Sequence, residues 1–418
     1  MNLTRNQIFI VSTAIVIVIV IVLMLLGIIP GLQNRNNTQQ EIKLTAWGIQ
    51  SPSNFQVVTD GYSQLNPNVK ILYTQIAESN YENTIVNALA AGNSPDILMV
   101  PNTWIPKRAN LLTPITTTQA SLNKFPFVVE QDFSINGSAY ALPLYIDTLA
   151  LLYNKDIFDA KSIALLPTTW QDFQAIIPTL RETNAQNQII KAAAAIGGSE
   201  TSINHASDIL NTILMQSGNP TFNSDGNTRF NDDGTKAFNF YLQFANPSSP
   251  YYTWNEKLPY STDSFASGKT AMIFDYVSAL PALKAKNPLL RIGIASIPQL
   301  SGASQPVTTA RYWGLAVSKQ SRNQAAAWNF ILNATTNRTI AENYLKASGK
   351  PPALLMLINA YINDPDLGVF ARQALTARDW QTSADRTAIF STMIQNVLSG
   401  KLTVTQAMQE ATNKLNGQ

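Results

Sequence analysis

The residues able to do chemistry in this chain are aromatic rings and neutral polar groups more than acids, bases or thiols. There are seven Trp, fourteen Tyr, one His and no Cys. Without cysteine there is no disulfide scaffold, no Cys–Zn or Fe–S site, no thiol nucleophile and no lipid-modified N-terminal Cys. With His205 alone, two-His zinc motifs are excluded, and any Ser–His–Asp triad would have to use it. Nothing in the sequence pairs His205 with a nucleophile, so it reads as an ordinary polar residue. Asn223-Ser-Asp225-Gly226 is similar to the start of a calcium loop, but no Glu follows at the twelfth position. Asn231-Asp-Asp233-Gly234 reads better as a turn and helix N-cap. No metal and no cofactor are expected. Glycoside hydrolysis needs two carboxylates across a cleft. Asp147 and Asp275 can be put forward, with nothing in the sequence to bring them together. What the composition suits is sugar recognition. Aromatic faces cover the C–H faces of pyranose rings, while amides and carboxylates bond the hydroxyls.

Charge narrows the partners. Charged residues are 13% of the chain, the net charge is +3, and there is no basic run, so nucleic acid is not an expected partner. The 418 residues suffice for two or three domains with real cores.

The elements that must position these groups alternate. Ile8–Ile29 is almost wholly apolar, long enough to cross a hydrocarbon core of roughly 30 Å, and lacks an A-x-A-like cleavage site. It reads as an uncleaved signal anchor with the bulk of the chain outside: a single-pass plasma-membrane protein with an extracytoplasmic soluble part. Residues 31–41 read as a flexible tether. Then come strand Ile42–Trp47, helix Phe55–Leu65, strand Val69–Tyr73, helix Tyr81–Ala91 ended by Gly92, and strand Asp96–Val100. That is a doubly wound α/β start, for which a parallel sheet is expected. Further on, helices are expected at Trp170–Thr183, Ala206–Gln216, Thr235–Phe244, Gln324–Leu332, Thr339–Lys346, Pro365–Ala377, Ala384–Ser399 and Val404–Asn416. Strands are expected at Ile292–Ile297 and Tyr312–Val317. There is no GxGxxG and no P-loop.

Several segments together carry a resemblance. They are Leu44–Trp47, Tyr81–Asp96 with its ALAAGNSPD ending, and Gly137–Pro143 leading into Asp147 and Leu152–Lys155. Pro167–Trp170, Phe265–Met272, Tyr312–Ser318 and Ala327–Phe330 follow. In this order they resemble the extracellular solute-binding proteins of ABC importers, in the family-1 group that includes maltose-binding proteins. The departure is the N-terminal membrane span, where members usually carry a cleaved signal or a lipidated Cys.

The resemblance implies an α/β fold: a two-lobe, periplasmic-binding-protein-like (type II) clamshell, here with an N-terminal transmembrane helix over 1–30. One lobe would hold 42–147 plus 315–362 and the other 148–314 plus 363–418. Crossings would fall near Tyr145–Thr148, Ala310–Gly314 and Ala360–Pro365. It also implies a ligand in the cleft at the carboxyl ends of strands. The ligand-binding residues it points to are Trp47, Gln50, Asn102, Trp104, Tyr145, Asp147, Ser199, Asn204, Trp254, Asp275, Tyr276, Trp313 and Trp380. Trp170 and Trp328 are read as core, and Asp96 as a structural acceptor of backbone amides. The implied partners are a carbohydrate ligand, ABC permease subunits with a separate ATPase, and the membrane; the protein is expected to be a monomer and not an enzyme. A receptor that reports its ligand to a membrane sensor would use the same clamshell.

Overall fold

The computed structural model describes residues 4–25, 41–222 and 227–417. At the N-terminus lies α1 (Arg5–Leu25). Its apolar side chains face outward, Phe9 being 74% exposed. They are described without a break only from Phe9 to Met24, a rise of about 24 Å. No helix among the described residues is long and apolar enough to cross a membrane. The remainder of the apolar run, to Ile29, and the tether as far as residue 40 lie outside the described residues, as does Asn223–Gly226.

From residue 42 the expected alternation holds. β1 (Ile42–Gly48), α2 (Pro52–Leu65), β2 (Val69–Gln75), α3 (Glu78–Ala90) and β3 (Ile97–Pro101) follow one another. Ser51 caps α2 by accepting from Asn54 N, and Gly92 turns the chain after α3 at φ +74°. β1 pairs in parallel with β2 and β3. Ile97, Leu98, Met99 and Val100 are all buried, which explains the unbroken apolar run of β3: both of its faces are covered.

Next come β4 (Leu112–Thr113), α4 (Phe127–Phe133) and β5 (Ala141–Pro143). β6 (Asp147–Thr148) leads out of the first lobe. The second lobe is built from β7 (Ala150–Asn154), α5 (Trp170–Leu180), β8 (Glu182–Thr183), β9 (Ile189–Ala194), α6 (Ala206–Gln216), β10 (Thr270–Asp275) and β11 (Ile292–Ala295). The chain returns through β12 (Ala310–Arg311) to β13 (Trp313–Ser318), α7 (Gln324–Thr336) and α8 (Arg338–Ser348). It then passes along α9 (Gly368–Ala374) and ends in α10 (Ala384–Leu398) and α11 (Val404–Leu415).

Two sheets result. The first runs β2-β1-β3-β13-β4, with β5 also on β13; the second runs β8-β9-β10-β7-β11. Parallel pairing holds for β1 with β2 and β3, and for β9 with β10 in the second lobe. β13 enters antiparallel to β3, and β10 and β11 are antiparallel to β7. The helix expected to reach Thr183 stops at Leu180. The ladder runs past Pro178 to Arg181 N, which donates to Ile177 O, and Glu182 and Thr183 then pair with β9.

Each lobe has its own core. The first gathers Leu44, Phe55, Tyr81, Phe133, Tyr312, Trp328 and Phe330; the second gathers Trp170, Phe173, Trp254, Phe274 and Trp380. Trp170 and Trp328 are core residues, as read from sequence. The lobes meet at β6 and β12, a two-stranded ribbon pairing Asp147 with Arg311 and Thr148 with Ala310. α9 straddles the cores: Phe370 packs in the second, while Ala371 and Ala374 pack in the first, joined there by Ala377. Asp96 accepts from Thr45 N and Oγ1 and from Ser321 Oγ, a structural role.

Candidate functional site

Between the lobes lie two adjoining cavities, of about 1120 and 380 Å³. Glu78, His205, Arg311 and Trp313 line both, so they form one cleft divided by those four side chains. Its floor is made by the crossing strands, and its walls by the carboxyl ends of β1, β3 and β10, the place where open α/β sheets put ligands.

Eight of the expected residues face this cleft. Asn102, Trp104 and Asn204 line the larger cavity, Gln50, Tyr145, Asp147 and Tyr276 the smaller, and Trp313 both. The aromatic walls are held from behind. Arg108 sits 5.0 Å over the Trp104 ring and pairs with Glu82. Trp313 meets Tyr81 edge-on at 5.3 Å. The Tyr81 hydroxyl donates to Trp47 O and accepts from Met99 N, tying α3 to β1 and β3.

The other five line neither cavity. Trp47 packs against the first core, and its carbonyl serves Tyr81. Ser199 is buried, its N–H and hydroxyl both turned to Glu256. Trp254 is fully buried and donates its indole N–H to Ser202 Oγ at 3.0 Å. Trp380 is buried and donates to Asp208 Oδ1 at 2.6 Å. Asp275 lies just beneath the surface, accepting from Asn204 Nδ2 at 3.0 Å and from Tyr276 N at 2.8 Å. Trp47, Trp380 and Asp275 support Tyr81, Asp208 and Asn204, which face the cleft, whereas the partners of Ser199 and Trp254 line neither cavity. The reason is burial: a tryptophan or carboxylate at a strand end can point to either side, and here the core took it.

Asp147 does line the cleft, yet both its oxygens accept backbone amides, Val277 N at 3.0 Å and Ser278 N at 3.3 Å. It therefore ties the crossing ribbon to the second lobe. Burial raises its pKa, against the opposing pull of Lys350 and the two amides, and Asp275 raises it further. Because Asp275 lies under the surface and Asp147 is engaged by amides, the two do not flank a bond in the manner a glycosidase requires.

The sequence reading missed several cleft residues. Glu200, Glu78, Asp208, Arg311 and Lys350 face the cavities, and so does His205, which reads from sequence as ordinary. Arg311 was findable. It lies two residues before Trp313, so an extended strand puts both side chains on one face. His205 opens α6 in the left-handed region, φ +59°, which its sequence context does not announce. Its Nδ1 lies 3.4 Å from Asp208 Oδ2 and its Nε2 lies 3.5 Å from Asp275 Oδ1. Burial alone would push the imidazole down; the two carboxylates outweigh it and raise it. Asp208 is held below the usual carboxylate range: burial works against this, but His205, Arg311 and the Trp380 N–H prevail.

In chemical terms the cleft offers flat rings for stacking and convergent donors and acceptors from both lobes. Such a set can hold a polar solute without bonding it covalently.

The comparisons with known proteins agree with this architecture. Residues 46–340 match the family model described as bacterial extracellular solute-binding protein. The maltotriose-binding protein of Pyrococcus abyssi is 23% identical over 78% of this chain and 68% of its own length. Among solved structures, the sugar-binding protein of the phytopathogen Xanthomonas citri superposes with a TM-score of 0.75 at 18% identity, covering 90% of this chain and 96% of that one. The cyclic alpha-maltosyl-1,6-maltose binding protein of Arthrobacter globiformis does so with a TM-score of 0.74 at 19% identity, covering 90% and 98%. The structural likenesses fix the two-lobe fold, and the matched model spans most of the sequence: this chain belongs to the bacterial extracellular solute-binding protein family.

Proposed function

We propose that this protein is the extracytoplasmic substrate-binding component of an ABC importer, and that it captures a carbohydrate, an oligosaccharide, in the cleft between its lobes. The observation that carries this reading is the pairing of Trp104 and Trp313 with Asn102, Asn204, Glu200 and Arg311 around one cavity. Rings supply apolar area for sugar faces, and amides, a carboxylate and a guanidinium answer the hydroxyls. A cavity of about 1120 Å³ exceeds the roughly 300–1,000 Å³ of ordinary small-molecule pockets, which favours several sugar rings over one. The names of the relatives, a maltotriose-binding protein and a cyclic alpha-maltosyl-1,6-maltose binding protein, point the same way.

A ligand that touches both lobes favours their closed arrangement, and only that difference in affinity shifts the population. The closed lobes would then present a joint surface to a permease powered by a separate ATPase. The apolar N-terminal run of the sequence, Ile8–Ile29, would anchor the chain in the membrane and keep the lobes near the transporter as a monomer.

The test is titration calorimetry of the full-length chain in detergent, with maltotriose, longer maltodextrins, monosaccharides, polyols and short peptides. Binding of an oligosaccharide more tightly than its monomer supports the reading. A response to peptides alone sinks it and leaves the clamshell.

A further inference from the structure

We infer that His205, the chain's only histidine, is a ligand-linked proton acceptor, and that capture of an uncharged saccharide in this cleft is accompanied by uptake of one proton on its imidazole. The inference rests on the saccharide reading above.

Both ring nitrogens face carboxylates, Nδ1 toward Asp208 and Nε2 toward Asp275. A neutral imidazole carries a single N–H and can serve only one of them; the imidazolium serves both. In its Nε2–H tautomer, which serves Asp275, the neutral ring leaves Nδ1 as an acceptor, and one donor lies within reach of it, Arg311 Nη1 at 3.5 Å. That contact is the only hydrogen bond from the Arg311 guanidinium to protein among the described residues, although the side chain lines both cavities. The two cations therefore compete. With His205 neutral, Arg311 is drawn to the ring. With His205 protonated, Nδ1–H turns to Asp208 and the guanidinium is free to face a ligand.

The sign follows from this exchange. A saccharide oxygen that accepts from Arg311 removes the partner of the neutral ring and so favours the protonated one. Exclusion of water disfavours the imidazolium by itself, as burial does, but it strengthens the pull of the carboxylates around the ring. Around His205 stand Asp208 on α6, Asp275 and Tyr276 at the end of β10, Glu200 in the loop before α6, and Arg311 on β12, with Glu78 of α3 beyond Arg311. Carboxylates outnumber the cations of this group, Arg311 and, across the smaller cavity, Lys350 beside Asp147. Drying it penalises net negative charge and favours a proton taken from bulk water. The backbone at His205 agrees with a functional constraint: a non-glycine residue at φ +59° is uncommon and is held there by its surroundings.

A single histidine makes the test direct. The full-length chain, labelled with ¹⁵N-histidine, gives one imidazole to titrate by NMR. In the free protein it is expected to titrate above the ordinary value of about 6.5. Saturating maltotriose should raise it further. Calorimetry in buffers of different ionisation heat should then show proton uptake, with affinity falling by up to about tenfold per pH unit between the two values. His205→Asn keeps a residue that tolerates the left-handed backbone and should abolish the uptake. Arg311→Gln should raise the titration point of the free protein. Saccharide binding without proton exchange from pH 6 to 8.5 overturns the inference while leaving the saccharide reading intact. If no saccharide binds, that reading fails, and the free-protein titration still decides: an imidazole at or below the ordinary value, unmoved by Arg311→Gln, overturns the inference.

Discussion

At the residue scale, a second charged contact lies behind the cleft. Asp132 on α4 accepts from the Tyr312 hydroxyl at 2.6 Å and from Asn102 Nδ2 at 3.1 Å. Its neighbour Gln131 accepts from Arg378, which brings Asp379 alongside. Burial, then the facing Asp379, hold Asp132 well above the usual carboxylate range. Asp379 is pushed up to about 7 by burial, although the Gln381 and Thr382 amides pull the other way. Its buried Oδ1 has no hydrogen-bond partner among the described residues. A carboxyl raised in the folded state costs nothing below its unfolded pKa near 3.9 and destabilises progressively as pH rises to 7. Asp379→Asn keeps an acceptor for the two amides and removes the charge. It should raise Tm by a degree or more at pH 8 and leave it unchanged at pH 4, as read by thermal unfolding of wild type and variant at both pH values. Within the cleft, Trp104→Ala and Trp313→Ala should each weaken saccharide binding about tenfold or more, with the free-state circular dichroism unchanged.

At the scale of elements, β13 couples core to site. A Cβ on Gly314 would lie 2.6 Å from the Phe133 ring, and Phe133 meets Tyr312 edge-on at 5.3 Å. Gly314→Ala should therefore destabilise by about 1–3 kcal/mol through overpacking, measured by urea unfolding. It should also loosen binding, because Tyr312 and Trp313 move with the strand. The elements themselves were largely legible. α6 begins and ends at the residues its periodicity marks, and β3 shows its burial as an unbroken apolar run. Less legible was which face each side chain takes. Trp313 faces the cleft, whereas Trp254 and Trp380, no less aromatic, fill the second core. Glu200 and Asp208 escaped the sequence reading because the loop before α6 folds back over its own first turn, where Ser207 N donates to Glu200 Oε1. No local spacing encodes that return.

At the scale of the whole molecule, two cores without a shared residue imply that the lobes are separate cooperative units joined by a short ribbon and α9. Scanning calorimetry of the free protein should resolve two overlapping transitions. A saccharide bound by both lobes, at 100 times its Kd, should stabilise by about 2.7 kcal/mol and draw the transitions together. A ligand that shifts one transition alone would show that it engages one lobe only.

The place of β13 has a consequence for how the chain is made. The centre of the first sheet is filled by residues 313–318, inserted between β3 and β4. When an N-terminal stretch emerges during synthesis, β1, β2 and β3 have no partner for β3's open edge until the greater part of the second lobe, up to β11, has followed. Long-range pairing of this kind is slow to form. The first lobe thus stays unfinished for most of the time the chain is growing, the state in which a polypeptide can still be threaded across a membrane.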